Sequence, residues 1–234
     1  MTALEAIWLG IVQGLTEFFP VSSSGHLAIF QTLLGVADEG LLFEIAVHVA
    51  TLVAIVIYYR QRIWGLVRGS LGGDRASLIY TGQLALATLP AVAVGFFARG
   101  AVAQIFERPG WVAGALMVTG AILWTTRWTA PRARAPGLSW TWAFWIGCAQ
   151  ALAIVPGISR SGATVAMALA LGLAPLAAAE FSFLLGTFAI AGAAVLMLPD
   201  LMVATPEQLG DLTLGSVAAL VSGIVAIWAF VRML

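Results

Sequence analysis

Two stretches of this chain gather residues that could do chemistry. The first, QGLTEFFPVSSSGHL from Gln13 to Leu27, offers an acid (Glu17), three consecutive hydroxyls (Ser22, Ser23, Ser24), a glycine (Gly25) and an imidazole (His26). The second, QALAIVPGISRSGAT from Gln150 to Thr164, offers Gly157, Ser159, the guanidinium of Arg160, Ser161, Gly162 and Thr164. A shift of 137 residues lays one on the other without a gap, pairing Gln13 with Gln150, Leu15 with Leu152, Ser22 with Ser159, Ser24 with Ser161 and Gly25 with Gly162. The residues that differ divide the labour. An acid, an alcohol and an imidazole in one pocket are the means of nucleophilic or general acid–base catalysis. A guanidinium grips two phosphate oxygens at once. Serine and glycine at a helix start leave N–H groups and a positive dipole end facing an anion. The pattern predicts one anion-handling site shared by both stretches. Glu17, Ser23, His26 and Arg160 would be its catalytic set, with Ser22, Ser24, Gly25, Gly157, Ser159, Ser161, Gly162 and Thr164 around the phosphate.

Blander readings stand beside this one. An arginine at membrane depth is costly unless neutralised, and a structural pair with Glu17 would do that as well as an anionic ligand. Ser23 and His26, three apart, form a short pattern that a polar seam satisfying its own hydrogen bonds could also produce. His48, inside an apolar run, reads as a hydrogen-bonded interhelical histidine. Glu44 and Glu180, related by a shift of 136, read as caps or pairs at helix entries. Cys148 is the single cysteine, so no intrachain disulfide and no cysteine metal cluster is expected.

The elements that must position these groups are membrane helices. The chain is 61% hydrophobic and 9% charged with a mean hydropathy of +1.00, which excludes an ordinary soluble domain. A net charge of zero gives no footing for nucleic acid, and none is expected as a partner. The N-terminal MTALEAIW lacks a signal peptide's basic region and cleavage site, so it is kept in the fold. Arms at 3–17 and 26–36, and at 139–154 and 164–173, are too short to cross a bilayer at ~1.5 Å per residue. Each pair reads as a re-entrant helix-loop-helix, broken at Pro20 and at Pro156–Gly157. Full spans are expected at 41–59, 77–97 (with Pro90 inside), 111–128, 177–198 and 214–233, with loops at 60–76, 98–110, 127–138 and 199–213. Placing the arginine-rich loops 60–76 and 127–138 in the cytoplasm follows the positive-inside rule. The first hairpin then enters from outside and the second from inside. The predicted fold class is therefore an all-α polytopic membrane protein with an inverted repeat, two re-entrant pairs and about five full transmembrane helices. It would form a single membrane domain over 1–234, with units of about 1–128 and about 138–234. The span at 111–128 has no counterpart after 214–233, so one helix is expected to be missing at the C-terminus.

The stretches GLTEFFPVSSSGH (14–26) and PGISRSGAT (156–164) resemble the two signature motifs of undecaprenyl-diphosphate phosphatases, the membrane enzymes linked to bacitracin resistance. EFSF at 180–183 is similar to the family too. The resemblance implies an inverted-repeat helical fold and hydrolysis of the lipid-carrier diphosphate to the monophosphate. It implies a polyprenyl diphosphate lipid as partner within the bilayer and a bacterial cytoplasmic (inner) membrane location, with the site facing the periplasm or exterior. It also implies a divalent cation, and leaves the oligomeric state open, a homodimer included. By position, Glu17, Ser23, His26 and Arg160 fall on the family's active-site residues, with Ser159 and Thr164 beside them. Gln13 stands where many members carry glutamate, one carboxylate fewer for a metal. One arginine cannot offset a diphosphate, a physical reason to expect Mg²⁺ or Ca²⁺, with Glu17 and Gln13 as candidate ligands. Ser23 is read as nucleophile with His26 activating it or protonating the leaving group; His26 as nucleophile, or a water, stays open. A transporter or flippase for a lipid phosphate or other anion is the alternative, since inverted repeats with broken helices are its usual plan.

Overall fold

A computed structural model describes residues 1–36, 40–97, 109–196 and 206–234. They form ten α-helices: α1 (Ala3–Phe18), α2 (Ser23–Leu34), α3 (Gly40–Tyr58), α4 (Arg60–Leu71), α5 (Arg75–Phe97), α6 (Pro109–Thr129), α7 (Trp140–Leu152), α8 (Arg160–Leu171), α9 (Pro175–Leu196) and α10 (Pro206–Met233). The fold is all-α and polytopic, as its composition predicts.

Local chemistry sets the short arms. Thr2 and Glu5 close a capping box at the start of α1. Pro20 forces Phe19 into extended backbone and stops that helix. The returning arms follow one code: α2 starts on a Ser22 cap and stops at Gly35, while α8 starts on a Ser159 cap and stops at Gly172. Both glycines are left-handed, with φ of 71° and 103°. These two stops are again 137 residues apart. At 16, 12, 13 and 12 residues, the four arms stay below the ~20 that span a hydrocarbon core. Both returning arms begin three or four residues before their expected starts, because serine caps draw the helix back to them.

A helix lies at each of the five expected spans. By length and apolarity alone, three of the described helices could cross a membrane: Arg75–Phe97, Pro175–Gly192 and Gln208–Met233. A fourth appears if Leu42–Tyr58 and Arg60–Leu71, bent by 75°, count as one broken span. Two expected loops differ. Within 60–76 the chain forms α4, whose Trp64, Val67 and Leu71 recur at helical spacing and stay exposed between its arginines. Glu207 and Asp211, placed in the 199–213 loop, lie in the early turns of α10. The expected loop residues Arg99, Glu107, Arg108 and Asp200 lie outside the described residues.

The two hairpins pack reciprocally. α1 lies along α10, and α7 lies along α5. At each crossing a glycine lets two backbones touch. A Cβ on Gly10 would strike the Gly215 carbonyl, and one on Gly147 would strike the Ala87 carbonyl. Around the first hairpin, Leu9, Leu27, Phe43 and Val47 form one core; around the second, Ile146, Leu169, Phe181 and Leu185 form another. A third, with Phe18, Ile55, Phe183 and Ile227, joins them beside the hairpin tips. Burying four such side chains contributes on the order of 6–12 kcal/mol where they leave water. Inside a bilayer the same packing acts chiefly through contact and shape.

Candidate active site

The tips of the two hairpins touch. A Cβ built on Gly25 would come 3.3 Å from Gly157 Cα, and one on Gly162 would come 3.1 Å from the Pro20 carbonyl oxygen. Gly157 has φ of 95°, a conformation only glycine adopts freely, and a side chain there would also meet Val112. Thr119 of α6 braces this tip: its hydroxyl donates to the Gly157 carbonyl at 2.7 Å and accepts from the Ser159 N–H at 2.9 Å.

Glu17 is the centre of the arrangement. Its side chain is 6% exposed, and Oε1 accepts from Arg160 Nη2 at 2.7 Å across the two hairpins. Oε2 accepts from Ser23 Oγ at 2.5 Å and from Gln13 Nε2 at 3.1 Å. The Glu17 carbonyl accepts from Ser161 Oγ at 3.2 Å. The expected pairing of His26 with Ser23 gives way to a pairing of Ser23 with Glu17. His26 Nδ1 instead donates to the Ser22 carbonyl at 2.9 Å. A carbonyl only accepts, so Nδ1 carries a proton and Nε2 is the nitrogen left to exchange one.

The remaining predicted residues divide by hairpin. Ser22 is the cap of α2; its hydroxyl accepts from the Gly25 N–H at 3.4 Å and lies 3.5 Å from that of Ser24. At φ of 68°, Ser22 is the only non-glycine among the described residues in the left-handed region, a strain worth ~1–3 kcal/mol of the kind that gathers at functional sites. The first N–H groups of α2 and α8 have no acceptor within their helices. Ser159 caps α8 by accepting from the Gly162 N–H at 3.0 Å, and its hydroxyl lies 3.3 Å from that of Ser161. Thr164 is fully buried; it donates to the Arg160 carbonyl at 2.7 Å, and its hydroxyl meets that of Ser182 at 2.5 Å. Ser159, Ser161 and Thr164 thus frame Arg160 rather than stand open.

Arg160 keeps capacity for an anion. Among the described residues its side-chain hydrogen bonds are one to Glu17 and one of 3.4 Å from Nη1 to the Ser182 carbonyl, out of five N–H donors. Gly186 of α9 makes room for the guanidinium, since a Cβ there would overlap it. Sequence reasoning missed Thr119, Gly186 and Ser182, apart from the EFSF signal that covers the last. It also undervalued His48, whose Nε2 lies 3.8 Å from Glu17 Oε2.

A hard divalent cation takes oxygen ligands, among them carboxylates and Gln carbonyls. Gln13 Oε1 is a buried acceptor with no hydrogen-bond partner among the described residues, on an amide adjoining Glu17 Oε2. That pair of oxygens suits such an ion. Among the described residues no three His, Cys, Asp or Glu side chains gather to hold one on their own. An ion here would need ligands of other kinds, including substrate oxygens.

A protein-family model described as bacitracin resistance protein BacA matches residues 6–234. A protein of Bordetella avium named undecaprenyl-diphosphatase is 38% identical over 98% of this chain and 88% of its own length. One of Stutzerimonas stutzeri named undecaprenyl-diphosphatase 2 is 40% identical over 100% of this chain and 90% of its own.

Proposed function

The chain belongs to the bacitracin resistance protein BacA family, and from that premise we infer how its two hairpins do the family's work. It is a membrane-embedded hydrolase that converts undecaprenyl diphosphate to undecaprenyl phosphate and inorganic phosphate, returning the lipid carrier to cell-wall synthesis. The observation that carries the mechanism is the bridging of Glu17, which holds Arg160 of the second hairpin and Ser23 of the first on its two oxygens.

The reaction breaks the anhydride P–O bond, and charge neutralisation and alignment supply most of the catalysis. The substrate's terminal phosphoryl group competes with Glu17 for Arg160. As the guanidinium turns to phosphate, the Glu17 carboxylate loses its partner and is left to take the Ser23 proton. Ser23 Oγ attacks the terminal phosphorus as its proton passes to Glu17, and the lipid monophosphate leaves as its anion, with His26 Nε2 placed to take the proton of the water that follows. Water then releases inorganic phosphate and restores the serine hydroxyl. The helix-start N–H groups of α2 and α8 hold the phosphoryl oxygens. Glu17 and Gln13 would hold the divalent cation, Mg²⁺ or Ca²⁺, which when bound supplies further positive charge against the diphosphate.

The polyprenyl tail stays among the apolar helices, which accounts for a hydrolase embedded in a bilayer. The arginine-rich 60–76 and 127–138 segments favour a cytoplasmic placement, and we take the site to face the periplasm or exterior of a bacterial inner membrane, as the motif resemblance implies. The test is phosphate release from undecaprenyl diphosphate in detergent, with and without EDTA. Release that EDTA suppresses and Mg²⁺ or Ca²⁺ restores supports the whole reading. Since detergent has no compartments, absence of release would favour a carrier.

A further inference from the structure

We propose that His48 is a ligand of the divalent cation, joining Glu17 and Gln13 in a mixed nitrogen–oxygen site. This rests on the cation reading above and names a residue that neither signature motif contains. His48 sits on α3, which packs against α1 of the first hairpin, and its side chain is 29% exposed, open enough for an ion to arrive.

Three observations converge on it. First, His48 Nδ1 donates to the Glu44 carbonyl at 2.6 Å. The carbonyl only accepts, so Nδ1 carries a proton and Nε2 is the nitrogen left for a ligand. Tying one ring N–H to a carbonyl is the usual way a metal-binding histidine is oriented. Second, that Nε2 faces Glu17 Oε2 at 3.8 Å. A charged histidine bonded to a carboxylate would close to about 2.7–2.9 Å. Glu17 is already paired with Arg160 at 2.7 Å. His48 Nε2 and Glu17 Oε2 face each other beyond hydrogen-bonding distance, within the span of one ion bonded to each at ~2.1 Å. Third, the same corner contains Gln13 Oε1, fully buried and without a hydrogen-bond partner, on the amide whose nitrogen lies 3.1 Å from Glu17 Oε2. Gln13 and Glu17, four apart, share one face of α1, and Glu17 is the one that meets His48.

An imidazole changes which cations the site prefers. Carboxylate and carbonyl oxygens alone suit Mg²⁺, Ca²⁺ and Mn²⁺, and a nitrogen ligand adds affinity for later metals such as Zn²⁺. The substrate's diphosphate oxygens would complete the shell.

The chain contains two histidines, His26 and His48, so nitrogen coordination can be assigned without ambiguity. The probe is Mn²⁺ bound to tag-free protein in detergent, read by electron spin echo modulation from coordinated ¹⁴N and by titration of free Mn²⁺. Wild type and His26→Ala are expected to show the imidazole modulation, and His48→Gln to lose it. His48→Gln should also weaken Mn²⁺ binding by at least about tenfold, the low end of what losing even a group that orients a ligand costs. Modulation that persists in His48→Gln, or disappears in His26→Ala, overturns the assignment. If His48→Gln does not fold, the His26→Ala protein decides alone, since His48 is then its only histidine. Mn²⁺ binding that Glu17→Gln abolishes but that never shows ¹⁴N coupling would remove His48 and leave the cation reading intact. No Mn²⁺ binding to wild type would remove both.

Discussion

In the first hairpin, Gln13 donates its amide to Glu17 at 3.1 Å. In the second, Gln150 is buried just as deeply, 137 residues on, with neither side-chain polar atom hydrogen-bonded among the described residues. The reason is one residue: where the first arm has Glu17, the second has Ile154. The same cap serine, helix-stopping glycine and crossing glycine recur on both sides. The positive φ moves, falling with strain on Ser22 in one tip and freely on Gly157 in the other. Duplication thus supplies two equal frames, and function enters where they stop being equal. One frame presents acid, alcohol and imidazole; the other presents a guanidinium and the hydroxyls that hold it.

The sharpest way to break this division is Arg160→Ala. Among the described residues it removes the only cation that reaches Glu17 at hydrogen-bonding distance, and phosphate release is expected to fall at least about 10³-fold, as for arginines that stabilise transferring phosphoryl groups. Leaving Glu17 buried and unpaired costs about 3–5 kcal/mol, so thermal unfolding in detergent should shift downward as well. Retained turnover would leave Arg160 as a structural pair only. Gly186→Ala is the next test, because it keeps the guanidinium and spoils its seat. A drop of about 10²-fold in kcat, with the protein still folded, is the expected result of misplacement alone. Thr119→Val leaves the Ser159 N–H and the Gly157 carbonyl without a partner, at ~1–3 kcal/mol each, and should loosen the second tip more than the first. Hydrogen exchange localised to residues 155–162 reads that out.

Much of this was legible in the sequence. The repeat offset placed Glu17 and Arg160, 143 residues apart, at one site, and the hairpins, their breaks and the all-α plan followed from short apolar arms and from Pro20 and Pro156. What stayed hidden depends on packing across helices. A threonine in a membrane helix normally bonds its own preceding turn, so nothing marked Thr119 as a brace for another segment. A glycine in such a helix is commonplace, so Gly186 carried no signal. His48 sat alone in an apolar span, and only the approach of α3 to α1 set it against Glu17. α4 was hidden because its arginines outweigh its apolar stripe in any average, although Trp64, Val67 and Leu71 keep helical spacing.

The smallest effects test the two glutamines against each other. Gln150→Leu removes two buried polar atoms that have no partner, and should be neutral or stabilising by about 1–3 kcal/mol. Gln13→Leu removes a bond to Glu17 and should destabilise by about 1 kcal/mol and weaken cation binding. Equal effects from both would mean that the hairpins are less different than their hydrogen bonds indicate.

The most direct measurement is a double-mutant cycle on phosphate release, comparing Glu17→Gln, Arg160→Ala and the two together. If one carboxylate and one guanidinium from opposite hairpins act as a unit, the double variant should be about as impaired as the worse single one. Losses that multiply would contradict a shared site and return Glu17 and Arg160 to separate roles.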